Sequence, residues 1–253
     1  MNKAVVFGVT SEIGSFTAKK LETDNWDVYG TSRVESSDKI MLLDFNNDND
    51  VQNFIDKTPW LDNWSLVCFF AGTMKPIGPF FDVSFDKWEE SLHINFISQL
   101  KLLHSIWPFR DKKNGVSVSF LAGGGTNSTF DNYSAYCISK IALIKFTELM
   151  ASENPKDKFF IIGPGFIKTK IHNETLEAGK MAGNNLKKTL DFFGTDGTTF
   201  DRFYDHFKWC LNSSIEEISG RNFSTVHDRW DESNSLLARL KLDQDLFKLR
   251  RKF

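Results

Sequence analysis

The chain has 253 residues, 41% of them hydrophobic and 25% charged, with a formal net charge of -2. That length suits one large α/β domain and is enough to bury most of its apolar surface in a single core. The near balance of charge leaves no electrostatic case for nucleic acid or an anionic membrane as the main partner.

The N-terminal "MNKAVVFG" reads as a buried strand rather than a signal peptide, and no apolar run is long enough to span a bilayer. "SEIGSFTAKKLET" follows as a helix, "WDVYGTSR" as a second strand and "KIMLLDF" as a third. "DNDVQNFIDKT" reads as a helix and "WSLVCFFAG" as a fourth strand. A long helix over "SFDKWEESLHINFISQLKLLHSIWPF" is stopped by Pro108. "GVSVSFLAG" is a fifth strand, "YSAYCISKIALIKFTELMASE" a long helix and "KFFIIGPG" a sixth strand. Residues 166–212 carry several glycines and weak periodicity, and read as a substrate lid with short helices. "SGRNFSTV" is a last strand, and 229–253 a polar C-terminal tail.

Short apolar strands alternating with helices predict an α/β fold, a single Rossmann-like doubly wound domain over residues 1–253. Its parallel sheet has about seven strands with helices on both faces, and its site lies at the carboxyl ends of the strands. Cys68, Cys137 and Cys210 are widely spaced, with no CxxC and no Cys/His cluster. This predicts reduced thiols in a cytoplasmic protein and no metal site.

Several motifs fall at those strand ends. In "FGVTSEIG", Gly8 and Gly14 bracket a strand-to-helix turn that can bring backbone amides close to a pyrophosphate. Arg33 ends the second strand where an acid would favour NAD(H), so NADP(H) is expected over NAD(H). Asp44, followed by Phe45, can accept from an adenine amino group or cap the next helix. Gly72 lets the fourth strand pass close to a ribose. Asn95, polar within an apolar helical stripe, can hold a water that relays protons. Tyr136 and Lys140 stand four apart on one helical face, where the lysine can lower the tyrosine's pKa. Pro164 and Gly165 end the sixth strand, and Thr169 can bond a nicotinamide carboxamide.

In this order and spacing the motifs resemble the short-chain dehydrogenase/reductase family, over roughly residues 3–228. The resemblance implies interconversion of a carbonyl and an alcohol, with Tyr136 as acid/base, Lys140 as its partner and Asn95 as anchor of the relay water. It implies cofactor contacts from Gly8, Thr10, Ser11, Ile13, Gly14, Arg33, Asp44, Phe45, Ala71, Gly72, Tyr136, Lys140, Pro164, Gly165, Ile167 and Thr169. It also implies a small-molecule substrate, polar or sugar-like by likeness to polysaccharide-cluster members, and a homodimer or homotetramer. Three positions depart from the family pattern. Glu12 replaces a glycine, Phe70 replaces an asparagine, and the catalytic serine is missing. Counting back from Tyr136 reaches Ala122 or Gly123, and Ala122 is taken as the replacement. Two other readings stay open: a cofactor-binding sensor or partner subunit with little turnover, and a nucleotide-sugar epimerase or dehydratase.

Overall fold

The computed structural model describes residues 2–58 and 60–251. In chain order the elements are β1 (Asn2–Phe7), α1 (Glu12–Thr23), β2 (Trp26–Ser32), β3 (Ile40–Leu42), α2 (Asp48–Lys57) and β4 (Leu66–Phe69). α3 (Phe85–Leu92) runs through a π turn, His93–Ile97, into α4 (Ser98–Ile106). β5 (Ser117–Leu121), α5 (Ser134–Glu153) and β6 (Lys158–Gly163) follow. Then come α6 (Asn173–Ala178), α7 (Asn184–Phe193), α8 (Phe200–Asn212), α9 (Ile215–Ile218), β7 (Arg221–Ser224) and α10 (Ser233–Leu242).

The strands form one seven-stranded sheet in the order β3-β2-β1-β4-β5-β6-β7. Every neighbouring pair in it is parallel. The order reverses between β1 and β4, and it is at such a switch point that an open α/β sheet leaves a crevice.

Strand residues alternate between two cores because successive side chains point to opposite faces. Val5, Phe7, Val67, Phe69, Val118 and Phe120 join α2, α4 and α5 on one face. Ala4, Val6, Cys68, Phe160 and Ile162 join α1, α8 and α10 on the other. Parallel register sets Phe7 beside Phe69 and Phe69 beside Phe120, and the rings stack at 4.8 and 5.0 Å between centroids. Each such pair adds about 1 kcal/mol beyond its area burial.

α8 corrects the expected lid. Phe203, Phe207 and Cys210 are buried against the sheet, so residues 200–212 of that stretch are a core helix. The C-terminal tail is also placed. Arg221, 1% exposed, donates to the carbonyls of Leu240, Asp243 and Leu246, and the Asn222 amide donates to Phe247 O at 2.9 Å. The tail therefore seals the outer edge of β7, a protection that open edges need.

Candidate active site

A cleft of about 1060 Å³ opens at the carboxyl ends of β1, β2 and β4. Its first wall is the β1–α1 turn. Ser11 caps α1 by accepting from the Gly14 amide at 3.1 Å, and its own amide donates to Gly8 O at 3.0 Å. Gly8 has φ 82°, and a Cβ there would come within 2.8 Å of the Ala71 nitrogen. A Cβ on Gly14 would come within 2.2 Å of Gly8 O. The two glycines thus let the turn, the α1 N-terminus and the end of β4 close on one another. The free amides and the positive dipole end of α1 make an anion-binding corner.

At the end of β2, the Ser32 hydroxyl accepts from the Thr10 hydroxyl at 3.0 Å and from the Val34 and Glu35 amides. Arg33 lines the cleft beside them, exposed and without a partner among the described residues. The residues present therefore fit a dinucleotide: a glycine-tight turn, a helix N-terminus and an unpaired guanidinium along one cleft.

Of the expected contacts, Gly8, Thr10, Ser11, Ile13, Arg33, Asp44, Phe45, Ala71, Gly72 and Thr169 line this cleft. Asp44 also caps its loop, accepting from the Asn46 amide at 3.0 Å. Gly14, Pro164, Gly165 and Ile167 do not line it. Ile167 is a core residue, and Gly165 is a positive-φ turn residue backed by Thr198 and Val226.

The second wall comes from the loop after β4. Asn95 is fully buried in the π turn between α3 and α4. Such turns insert one extra residue and recur at functional sites. Its Oδ1 accepts from the Thr73 amide at 2.9 Å, and its Nδ2 donates to Thr73 O at 2.8 Å and to Ser91 Oγ at 3.2 Å. The side chain thus clamps the loop backbone.

Tyr136 and Lys140 stand on the first turns of α5 behind the cleft wall, and neither is among its lining residues. Lys140 is 5% exposed and donates to Leu121 O at 2.9 Å, on the fifth strand. Its ammonium lies 5.7 Å from the Tyr136 ring centroid. Burial pushes its pKa down to about 8. Tyr136 packs against the cluster of Met74, Ile77, Tyr133, Cys137 and Ala182. Burial, first, and then Cys137 and Glu174 push its phenol above the ordinary range. The expected lowering by Lys140 is not found: the lysine makes no contribution to this shift, and the phenol keeps its proton at neutral pH. Its hydroxyl makes no hydrogen bond among the described residues.

A family model described as enoyl-(acyl carrier protein) reductase matches residues 8–191. The chain belongs to the short-chain dehydrogenase/reductase family. An uncharacterized oxidoreductase of Saccharomyces cerevisiae is 28% identical over 120 residues, 46% of this chain and 47% of that one, so the match spans about half of each. A benzil reductase ((S)-benzoin forming) of the same yeast is 26% identical over 221 residues, covering 77% of this chain and 84% of that one. The crystal structure of a short-chain dehydrogenase/reductase from Saccharomyces cerevisiae superposes with a TM-score of 0.77 at 21% identity, covering 90% of this chain and 97% of that one.

The departures from the family pattern now have positions. A Cβ on Gly123 would lie 2.3 Å from the Tyr136 hydroxyl oxygen. Ala122 instead is buried in the core on the α5 face of the sheet. Gly123, not Ala122, is the residue that faces the tyrosine. Phe70 packs edge-on against Phe203 and Phe207 of α8, replacing a polar tie between strands with aromatic contact. Glu12 accepts from the Lys170 amide at 2.6 Å.

Sequence reasoning gave no role to Ser32, Thr73, Ser91, Ile94 and Glu174, all of which line the cleft. A Ser ending a strand and a Glu in "HNETLEA" carry no local signal. Their roles come from partners distant in sequence. Among the described residues no group of His, Cys, Asp and Glu could hold a metal, and no helix is long and apolar enough to cross a membrane.

Proposed function

We propose that the protein is an NADP(H)-dependent carbonyl reductase in which Tyr136 is the proton donor. One observation carries this reading: a half-buried tyrosine one helical turn from a buried lysine, just behind the wall of a cleft whose lining suits a dinucleotide. The nicotinamide, when bound, supplies the hydride. Gly8, Ser11 and the α1 amides would hold the pyrophosphate, Arg33 the 2′-phosphate and Thr169 the nicotinamide end. Lys140 supports the ribose and Tyr136, and Asn95 fixes the Thr73 loop. Tyr136 gives its proton to the substrate oxygen as the carbonyl carbon accepts the hydride, leaving an alcohol.

The substrate end of the cleft favours an apolar carbonyl compound over the polar or sugar-like one that the family resemblance implies. Pro76, Ile77, Ile94, Leu121, Ile171 and Ala178 line it. Several of its polar side chains are already paired: Thr73 with Glu174, Lys75 with Glu177, Lys87 with Glu90 and Ser91 with Asn95. Sugar hydroxyls would find few free partners there. The likeness to a benzil reductase points the same way. Exposed Ile97, Ile138 and Leu149, in the π turn before α4 and on α5, support a homo-oligomer formed through those helices.

The test is a titration with NADPH and NADH, followed by reduction assays on benzil and on simple and sugar-derived ketones. Tight NADPH binding with turnover of apolar ketones is expected. Preference for NADH overturns the role of Arg33. Binding without turnover of any carbonyl favours a second reading, a cofactor-binding protein with little catalysis. The missing hydroxyl at Gly123 is the observation behind that reading.

A further inference from the structure

Residues 169–174 cross the cleft and are strapped at both ends by carboxylates. At one end Glu12, on α1, accepts from the Lys170 amide at 2.6 Å. At the other, Glu174 on α6 reaches the opposite wall. Its Oε2 accepts from the Met74 amide at 2.6 Å and the Lys75 amide at 3.2 Å. The Thr73 hydroxyl sits 3.0 and 3.1 Å from its two oxygens. Thr73 is the residue whose backbone Asn95 clamps from behind. A continuous chain therefore runs from Asn95 through Thr73 to Glu174, joining the π turn to the lid. The same loop contributes Met74 and Ile77 to the cluster that Tyr136 packs against.

The neighbouring Lys75–Glu177 pair spans the same gap at 2.8 Å but is exposed, so it adds little. Glu174 is different. It is half-buried, lines the cleft and gathers three donors on one carboxylate. Charge-assisted bonds of this kind are about twice as strong as neutral ones.

We propose that Glu174 is a positioning residue of the reductase site: it holds the Thr73–Lys75 loop in place and closes the lid over Tyr136. The proposal rests on the reductase reading. It assigns no proton transfer to Glu174, which acts through Thr73 and the loop. Its charge also bears on Tyr136, whose other charged or titratable neighbours are Lys140 and Cys137 on α5 and Tyr133 at the N-cap of that helix.

Glu174→Ala and Glu174→Gln, with melting temperature as a folding check, separate positioning from mere structure. Amide hydrogen exchange at Met74 and Lys75 is expected to accelerate in Glu174→Ala, with or without bound NADP+. kcat/KM for ketone reduction is expected to fall about 10- to 100-fold in Glu174→Ala, the range of a lost charged hydrogen bond. Glu174→Gln keeps one carbonyl acceptor and is expected to recover part of that loss. In the alcohol-oxidation direction, the limb of the pH profile that follows Tyr136 is expected to move to lower pH in Glu174→Gln, because a negative neighbour has been removed. Unchanged exchange and unchanged kcat/KM in Glu174→Ala overturn the proposal. Faster exchange with unchanged kcat/KM also overturns it, leaving a structural latch only. A wild type that reduces no carbonyl overturns the reductase reading first, and the proposal with it.

Discussion

Gly123 and Tyr136 share one space: the phenol head rests where a side chain at position 123 would stand, with its oxygen 2.3 Å from the missing Cβ. A serine in that place would put a hydroxyl beside the reacting oxygen. On the proposed mechanism, the glycine leaves the substrate oxygen one donor short. Gly123→Ala and Gly123→Ser impose nearly the same steric load, since each must push the ring aside, and they differ in the donor alone. A preorganised donor is worth about 100- to 1000-fold in rate. Because the ring must first move, Gly123→Ser is expected to exceed Gly123→Ala in kcat by about tenfold or more. Equal rates in the two variants would show that no substrate oxygen reaches this position.

On the proposed mechanism, Tyr136→Phe removes the proton donor and little else, because the hydroxyl has no hydrogen-bond partner to orphan among the described residues. General acid catalysis contributes about 100- to 10,000-fold, so kcat is expected to fall within that range. Cofactor affinity and melting temperature are expected to stay near wild type, as read by nucleotide fluorescence and thermal shift. Retained turnover would remove Tyr136 from the mechanism.

Much of this arrangement was legible in the sequence. Buried parallel strands read as short apolar runs, and "KAVVFG", "LVCFFAG" and "VSVSFLAG" become β1, β4 and β5, neighbours at the centre of the sheet. Glycines that permit close approach are local features, and so is the spacing that sets Tyr136 and Lys140 one turn apart on α5. What failed was facing and distance. Counting along "LAGGG" cannot tell which residue turns toward the tyrosine, because the answer depends on how the chain leaves β5. Glu174 and Glu12 hydrogen-bond to backbone amides on remote segments, and no spacing rule reports that. The segment "TTFDRFYDHFKWCLNS" falls within the glycine-containing stretch that reads as a lid, yet its apolar stripe faces the sheet.

Arg33 supplies a test of cofactor choice. It lines the cleft beside Ser32 and Thr10 and pairs with nothing among the described residues. An exposed guanidinium meeting a phosphate adds about tenfold in affinity, at the low end of charged hydrogen bonds. Arg33→Ala is expected to weaken NADPH by about that factor and leave NADH unchanged, and the wild-type preference for NADPH is expected to shrink as salt is raised. Equal weakening of both nucleotides would mean that Arg33 supports the fold of the turn rather than reading a phosphate.

Lys140 should cost the protein stability. Burial is the one cause of its shift from 10.5 to about 8. A folded-state pKa below the unfolded one means that the folded protein binds fewer protons. The penalty is fully present below about pH 8, fades as pH rises, and is gone above about 10.5. A shift of that size corresponds to about 3 kcal/mol, an upper figure because the bond to Leu121 O offsets part of it. Lys140→Met keeps the stem's volume and removes the charge. Compared with wild type at pH 7, it is expected to raise the melting temperature while turnover is lost, and its advantage is expected to disappear near pH 10.5. Urea melts of both proteins at pH 7, 9 and 10.5 read this directly. A variant less stable than wild type at pH 7 would mean that the Leu121 bond outweighs desolvation and that the lysine is a structural tie.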